Sequence, residues 1–71
     1  MKWIVVWLVL FNGQLVVVGD TEHEWATKTE CETRLVSETP DFVATMRILA
    51  ARQQAEFEYI NGGCIIPGQP A

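Results

Sequence analysis

Trp3-Ile4-Val5-Val6-Trp7-Leu8-Val9-Leu10-Phe11-Asn12-Gly13-Gln14-Leu15-Val16-Val17-Val18 decides the fold. β-branched and aromatic residues dominate it, the composition that suits a pleated surface. Asn-Gly between two apolar runs is the strongest short-range hairpin signal, because a type I′ turn needs positive φ at both central residues. Asn tolerates that conformation and Gly has no Cβ to clash. The sequence therefore predicts a hairpin over residues 3–18, with Phe11 facing Gln14, Val9 facing Val16 and Trp7 facing Val18.

Alternation along a strand sends neighbouring side chains to opposite faces. One face of the hairpin carries Trp3, Val5, Trp7, Val9 and Phe11. The other carries Ile4, Val6, Leu8 and Leu10, joined by Leu15 and Val17 from the second strand. Both are apolar, whereas an antiparallel sheet ordinarily hides one face and wets the other. A single helical layer covers one side, so the remaining face is expected to be an interface. The aromatic face, Trp3, Val5, Trp7, Val9 and Phe11, is the first candidate for that role.

Two other readings compete for the same run. A transmembrane helix needs about 20 apolar residues, and this run is broken after Phe11 by Asn12-Gly13-Gln14. A signal peptide would use Lys2 as its charged start, Trp3 to Phe11 as its apolar core, and Val17-Val18-Gly19 as its cleavage site. The turn and the β-branched run after it fit that pattern poorly.

Outward from the hairpin, the chain is short and acidic. Its 71 residues allow one domain, 1–71, and a chain of this size buries only about 60% of its unfolded surface. Such domains often add a disulfide, a metal or a partner subunit. The net charge is −4, and all nine acids lie between Asp20 and Glu58. With no basic patch, phosphate backbones have nothing to exchange counterions with, so nucleic acid is not an expected partner. Anionic membranes are disfavoured for the same reason.

After the polar connector Asp20-Thr21-Glu22-His23-Glu24 and the isolated Trp25, Thr27-Lys28-Thr29-Glu30 fits a capping box. It predicts a helix over 27–38 with Cys31 and Leu35 on one face, and Thr29 to Glu32 offers a second possible start. Thr39-Pro40-Asp41 restarts the pattern with Pro at the first helical position. That predicts a second helix over 40–55 bearing Phe42, Met46, Leu49 and Ala50, unless Pro40 only kinks one long helix. Glu56 to Tyr59 alternates, Asn61-Gly62-Gly63 is a turn signal, and Cys64-Ile65-Ile66 ends at Pro67. Residues 56–66 thus form a strand or short hairpin, and 67–71 a frayed tail. The fold class is α+β: a small antiparallel sheet packed against one or two helices.

Cys31 and Cys64 are the only cysteines. Their separation excludes a CxxC motif and leaves too few ligands for zinc. An even count in so short a chain points to a disulfide, which would imply an oxidising or extracellular setting. Buried free thiols in a cytoplasmic protein are the alternative. His23, the one histidine, sits between Glu22 and Glu24 in a loop, and adjacent residues do not make a defined ligand set. A Cys-His nucleophile pair lacks support. Glu56 and Glu58 read as a solvated strand face, and Gly62-Gly63 does not open a helix as a phosphate loop would. No catalytic, metal or cofactor-binding residue is expected.

An apolar strand closing at Asn-Gly (Trp7 to Gly13), a Trp before Thr-Lys-Thr-Glu-Cys-Glu (Trp25 to Leu35), and a late Cys before an apolar stub and Pro (Cys64 to Pro67) form a loose motif. It covers about a third of the chain and resembles short hypothetical proteins of bacteria and their phages. That resemblance implies a ββαβ plan with two cysteines, and no activity. Thr39 to Gly63 departs from it by carrying an extra capped helix. The functional expectation is a non-enzymatic structural or protein-interaction module, phage-encoded or a phage particle component, that binds a protein partner or itself through an apolar sheet face. The alternative is an exported small protein whose residues 1–19 are cleaved as a signal peptide.

Overall fold

A computed structural model describes residues 2–68. The chain runs β1 (Ile4–Phe11), β2 (Gln14–Gly19), α1 (Lys28–Arg52) and β3 (Phe57–Ile65). The three strands form one antiparallel sheet in the order β2-β1-β3, so the first strand is the central one. The fold is α+β, with a small sheet packed against one helix. Of the tail expected at 67–71, residues 69–71 lie outside the described residues.

The hairpin forms in the expected register, with Phe11 opposite Gln14, Val9 opposite Val16 and Trp7 opposite Val18. Asn12 and Gly13 both take positive φ, 51° and 78°, as a type I′ turn requires. Asn12 also ties the turn to the third strand. Its backbone N–H donates to the Glu56 carbonyl at 2.8 Å, and its side-chain Oδ1 accepts from the Glu56 N–H at 2.9 Å. At the other end of the sheet Trp25 rejoins the ladder beside Trp3, each N–H donating to the other's carbonyl at 2.8 Å.

The helix starts where the capping box places it. Thr27 is the N-cap: its hydroxyl accepts from the Glu30 N–H at 3.1 Å and donates to the Glu30 carboxylate at 3.0 Å. The break expected between residues 38 and 40 does not occur. Pro40 lies inside one continuous helix, which ends at Arg52 rather than at 55. Proline deprives the carbonyl four residues earlier of its partner. Here that is Val36, which is 75% exposed, on the solvent side of the helix, where a freed carbonyl costs least. The helical phase also carries through: Cys31, Leu35, Thr39, Phe42, Met46 and Ala50 recur every three or four residues, and all are buried or half-buried. One apolar stripe along one face holds the two halves as a single element.

β3 is one strand, and Asn61-Gly62-Gly63 lies within it rather than forming a turn. Its pairing with β1 slips by one residue between Leu8 and Val9, where Ile60 is left without an opposite number. Gly62 sits across from Trp7 beneath the helix. A Cβ there would come within 2.9 Å of both the Leu35 Cδ1 and the Tyr59 hydroxyl. Glycine at this point lets helix and strand approach closely.

The core lies between α1 and the aromatic face of the sheet. Val5, Trp7, Val9 and Cys31 are buried, with Leu35, Phe42, Phe57 and Tyr59 packed around them. Fully burying a valine contributes about 1.5 to 3 kcal/mol, so Val5 and Val9 anchor the central strand. Trp7 stacks on Phe42 with ring centroids 4.1 Å apart and planes 7° from parallel. Cys31 and Cys64 are joined as a disulfide, their Cα atoms 6.2 Å apart, linking the first turns of α1 to the end of β3.

Candidate functional site: the uncovered sheet face

The face proposed first as an interface is the core. Val5, Trp7 and Val9 are buried beneath α1, and Trp3 and Phe11 are half-buried at its margins. The physical reason is the disulfide and its row. Cys64 stands opposite Val5, and paired residues share a face, so bonding Cys64 to a helical cysteine draws α1 onto the odd-numbered side of β1.

That leaves the even-numbered side without a layer. Pairing fixes its rows in order along β1: Ile65 beside Ile4; Gly63 and Gly19 flanking Val6; Asn61 and Val17 flanking Leu8; Glu58 and Leu15 flanking Leu10. Leu15 is 63% exposed, Val17 66% and Ile65 46%, while Val6, Leu8 and Leu10 are half-buried by their neighbours. Ile4 alone on this side is buried. Glu58, at one corner, is the only ionisable side chain among these eleven positions. Because Gly63 has no side chain and nothing within 4 Å of where a Cβ would stand, the face is dented. A hollow of about 260 Å³ opens there, bordered by Val6, Leu8, Val17 and Asn61.

The two edges of the sheet differ. β3 carries Glu58, the unpaired Ile60 and two glycines, features that discourage another strand from pairing. β2, Gln14-Leu15-Val16-Val17-Val18-Gly19, has no charge and no proline. α1 lies against β3 and β1 and not against β2, so Val16 is exposed even on the helix side. Apolar surface is thus continuous from the uncovered face around the β2 edge.

The remaining sequence candidates do not assemble into a reactive site. His23 Nδ1 lies 3.1 Å from Asp20 Oδ2 in the exposed connector and 6.5 Å, centroid to centroid, from Trp25. Cys31 is bonded to Cys64 and is no free thiol. Arg34 lies over the Trp25 ring at 5.5 Å while its Nε donates to Glu38 at 2.9 Å; Lys28 lies 5.9 Å from the Trp3 ring. These cations brace the two tryptophans at the helix start. Among the described residues no three His, Cys, Asp or Glu side chains converge as metal ligands, and no helix is long and apolar enough to cross a membrane.

What sequence reasoning missed was which face the helix covers, since both are apolar. The parity of Cys64 relative to β1 would have settled it, but the slip at Ile60 hides that parity. In comparisons with protein-family models, curated proteins and solved structures, the chain matches none.

Proposed function

We propose that this chain is a non-enzymatic structural or protein-interaction module that uses the uncovered face of its sheet to bind an apolar protein surface. The observation that carries the reading is the exposure of Leu15, Val17 and Ile65 on a face whose central strand contributes only apolar side chains. Contiguous apolar surface of this kind marks interaction sites in folded proteins. The resemblance to short phage and bacterial proteins supports a phage-encoded origin, including a particle component. The disulfide supports an oxidising setting, because it persists there.

Removal of residues 1–19 is the poorer reading. It would take away both β1 and β2, and with them Val5, Trp7 and Val9 from the core. An intact-mass measurement on natively expressed protein tests this directly: the chain should retain β1. The interaction reading is tested with a fluorescent apolar dye on the folded, oxidised protein. Strong dye binding that falls when Leu15 and Val17 are both replaced by Lys, with the circular dichroism unchanged, supports it. A native protein that neither binds the dye nor associates with anything would end it.

A further inference from the structure

We infer that the occupant of the uncovered face is a second copy of this chain, packed sheet to sheet into a four-layer α/β/β/α dimer. The inference rests on the interaction reading above and commits it to one partner.

Relief is the first argument. From Val6 to Leu10 along β1 the three full rows grade in bulk: Gly63-Val6-Gly19 is thin, Asn61-Leu8-Val17 intermediate, Glu58-Leu10-Leu15 thick. A two-fold axis in the plane of the face, crossing the strands at the Leu8 row, exchanges the thick row with the thin one. Leu15 of one copy then lies over Gly19 of the other, and Leu10 over Val6. On the β3 edge the same rotation sets Glu58 of one copy over Gly63 of the other, at the rim of the contact. A surface whose ridge and hollow are equidistant from one row is complementary to itself, which is the condition for an isologous contact.

Area is the second. Three strands about 4.8 Å apart and about eight residues long present about 400 Å² of flat surface. Side-chain relief raises the accessible area to about 500 Å² per copy, so two copies bury about 1,000 Å², the lower limit for a specific interface. The share of each copy, about 500 Å², is about a tenth of its 5116 Å² accessible surface, the fraction typical of such contacts.

Charge is the third. With a net charge of −4 per copy, dimerisation is tolerable only if the acids stay apart. Eight of the nine lie on α1, on the connectors or beside the turn, off the uncovered face. Glu58 is the exception, and its position on the β3 edge keeps it at the rim.

Sedimentation velocity on the full oxidised chain, from micromolar concentration upward, tests the inference. The expected result is a species of twice the 8.0 kDa chain mass. Leu15→Arg and, separately, Val17→Glu should weaken dimerisation by about a hundredfold or more, because each dimer would bury two unpaired charges. Both positions are already exposed in the single chain, so folding is preserved. Ile48→Glu, on the exposed side of α1, should leave the dimer intact. A dimer that survives both face variants overturns the inference. So does a dimer in which hydrogen exchange of the outward β2 amides slows, since that would signal edge pairing instead. A strict monomer that still binds apolar dye also overturns it while leaving the interaction reading standing. A strict monomer with no dye binding removes both.

Discussion

The indole N–H of Trp7 donates to the hydroxyl of Thr39 at 3.0 Å, and that same hydroxyl donates to the carbonyl of Leu35 at 2.6 Å. Thr39 immediately precedes Pro40, and a residue before proline is ordinarily pushed out of helical geometry. Here its side chain is held from two directions, by its own helix and by the central strand. The weakest point of α1 is thereby fastened to the most buried part of the sheet, one turn from where Trp7 stacks on Phe42.

Replacing Thr39 by Val keeps the shape and removes the oxygen. The half-buried indole N–H is left without its partner, which costs about 1 to 3 kcal/mol. Thr39→Ser retains the oxygen and should lose much less. Chemical denaturation of both variants checks this, and a double-mutant cycle with Trp7→Phe should show coupling.

Reduction of Cys31–Cys64 should be the largest single loss. The bond spans 33 positions of sequence, and closing a loop of that length stabilises by about 3 to 4 kcal/mol in the chain-entropy model. For a domain this small that is a large share of the total. The Cys31→Ala, Cys64→Ala double variant, compared with the oxidised protein by urea denaturation, should show a loss of this size. Wild-type protein in reductant should match the double variant.

Adjacent glycines in β3 should respond oppositely to the same change. Gly62→Ala places a methyl 2.9 Å from Leu35 Cδ1 and Tyr59 Oη and 3.2 Å from Trp7 Cδ1. Overpacking of this kind costs about 1 to 3 kcal/mol. Gly63→Ala meets nothing within 4 Å and should be neutral, or stabilising by up to about 1 kcal/mol through the unfolded chain. Thermal denaturation at high dilution separates the two, since about 1 kcal/mol moves the midpoint of a domain this size by about 4 to 8 °C.

Helix α1 closes with a left-handed residue that is not glycine. Gln54 has φ 54°, its N–H donates to Ala51 O, and the Ala55 N–H donates to Ala50 O. This is the Schellman pattern. Gln54→Gly removes the Cβ penalty and should stabilise by about 1 kcal/mol, offset in part by glycine's freedom when unfolded. A raised urea midpoint at unchanged slope is the expected reading.

The hairpin and its register were legible because Asn12-Gly13 sets a type I′ turn and breaks the apolar run too early for the membrane-span reading. Thr27 and Glu30 marked the helix start, and the even cysteine count marked the bond. Pro40 misled because a local breaker rule was set against a tertiary stripe. Leu35 and Phe42 are two full turns apart, in phase across the proline, and that spacing was visible in the sequence. Asn61-Gly62-Gly63 misled for the opposite reason. Its composition is that of a turn, but Gly62 is demanded by the approach of Leu35, a contact that only the folded chain supplies.

Ile60, the residue left over where β3 slips against β1, has a consequence for which errors this chain tolerates. Phe57 and Tyr59 sit at odd positions and Cys64 at an even one, yet all three point into the core, because one uncounted residue between them reverses the alternation. Most substitutions at Ile60 would leave that arithmetic intact. Deleting it would turn either the two aromatics or the cysteine to the far side of the sheet. A frame of nine residues thus holds its meaning through a spacer whose length matters more than its identity.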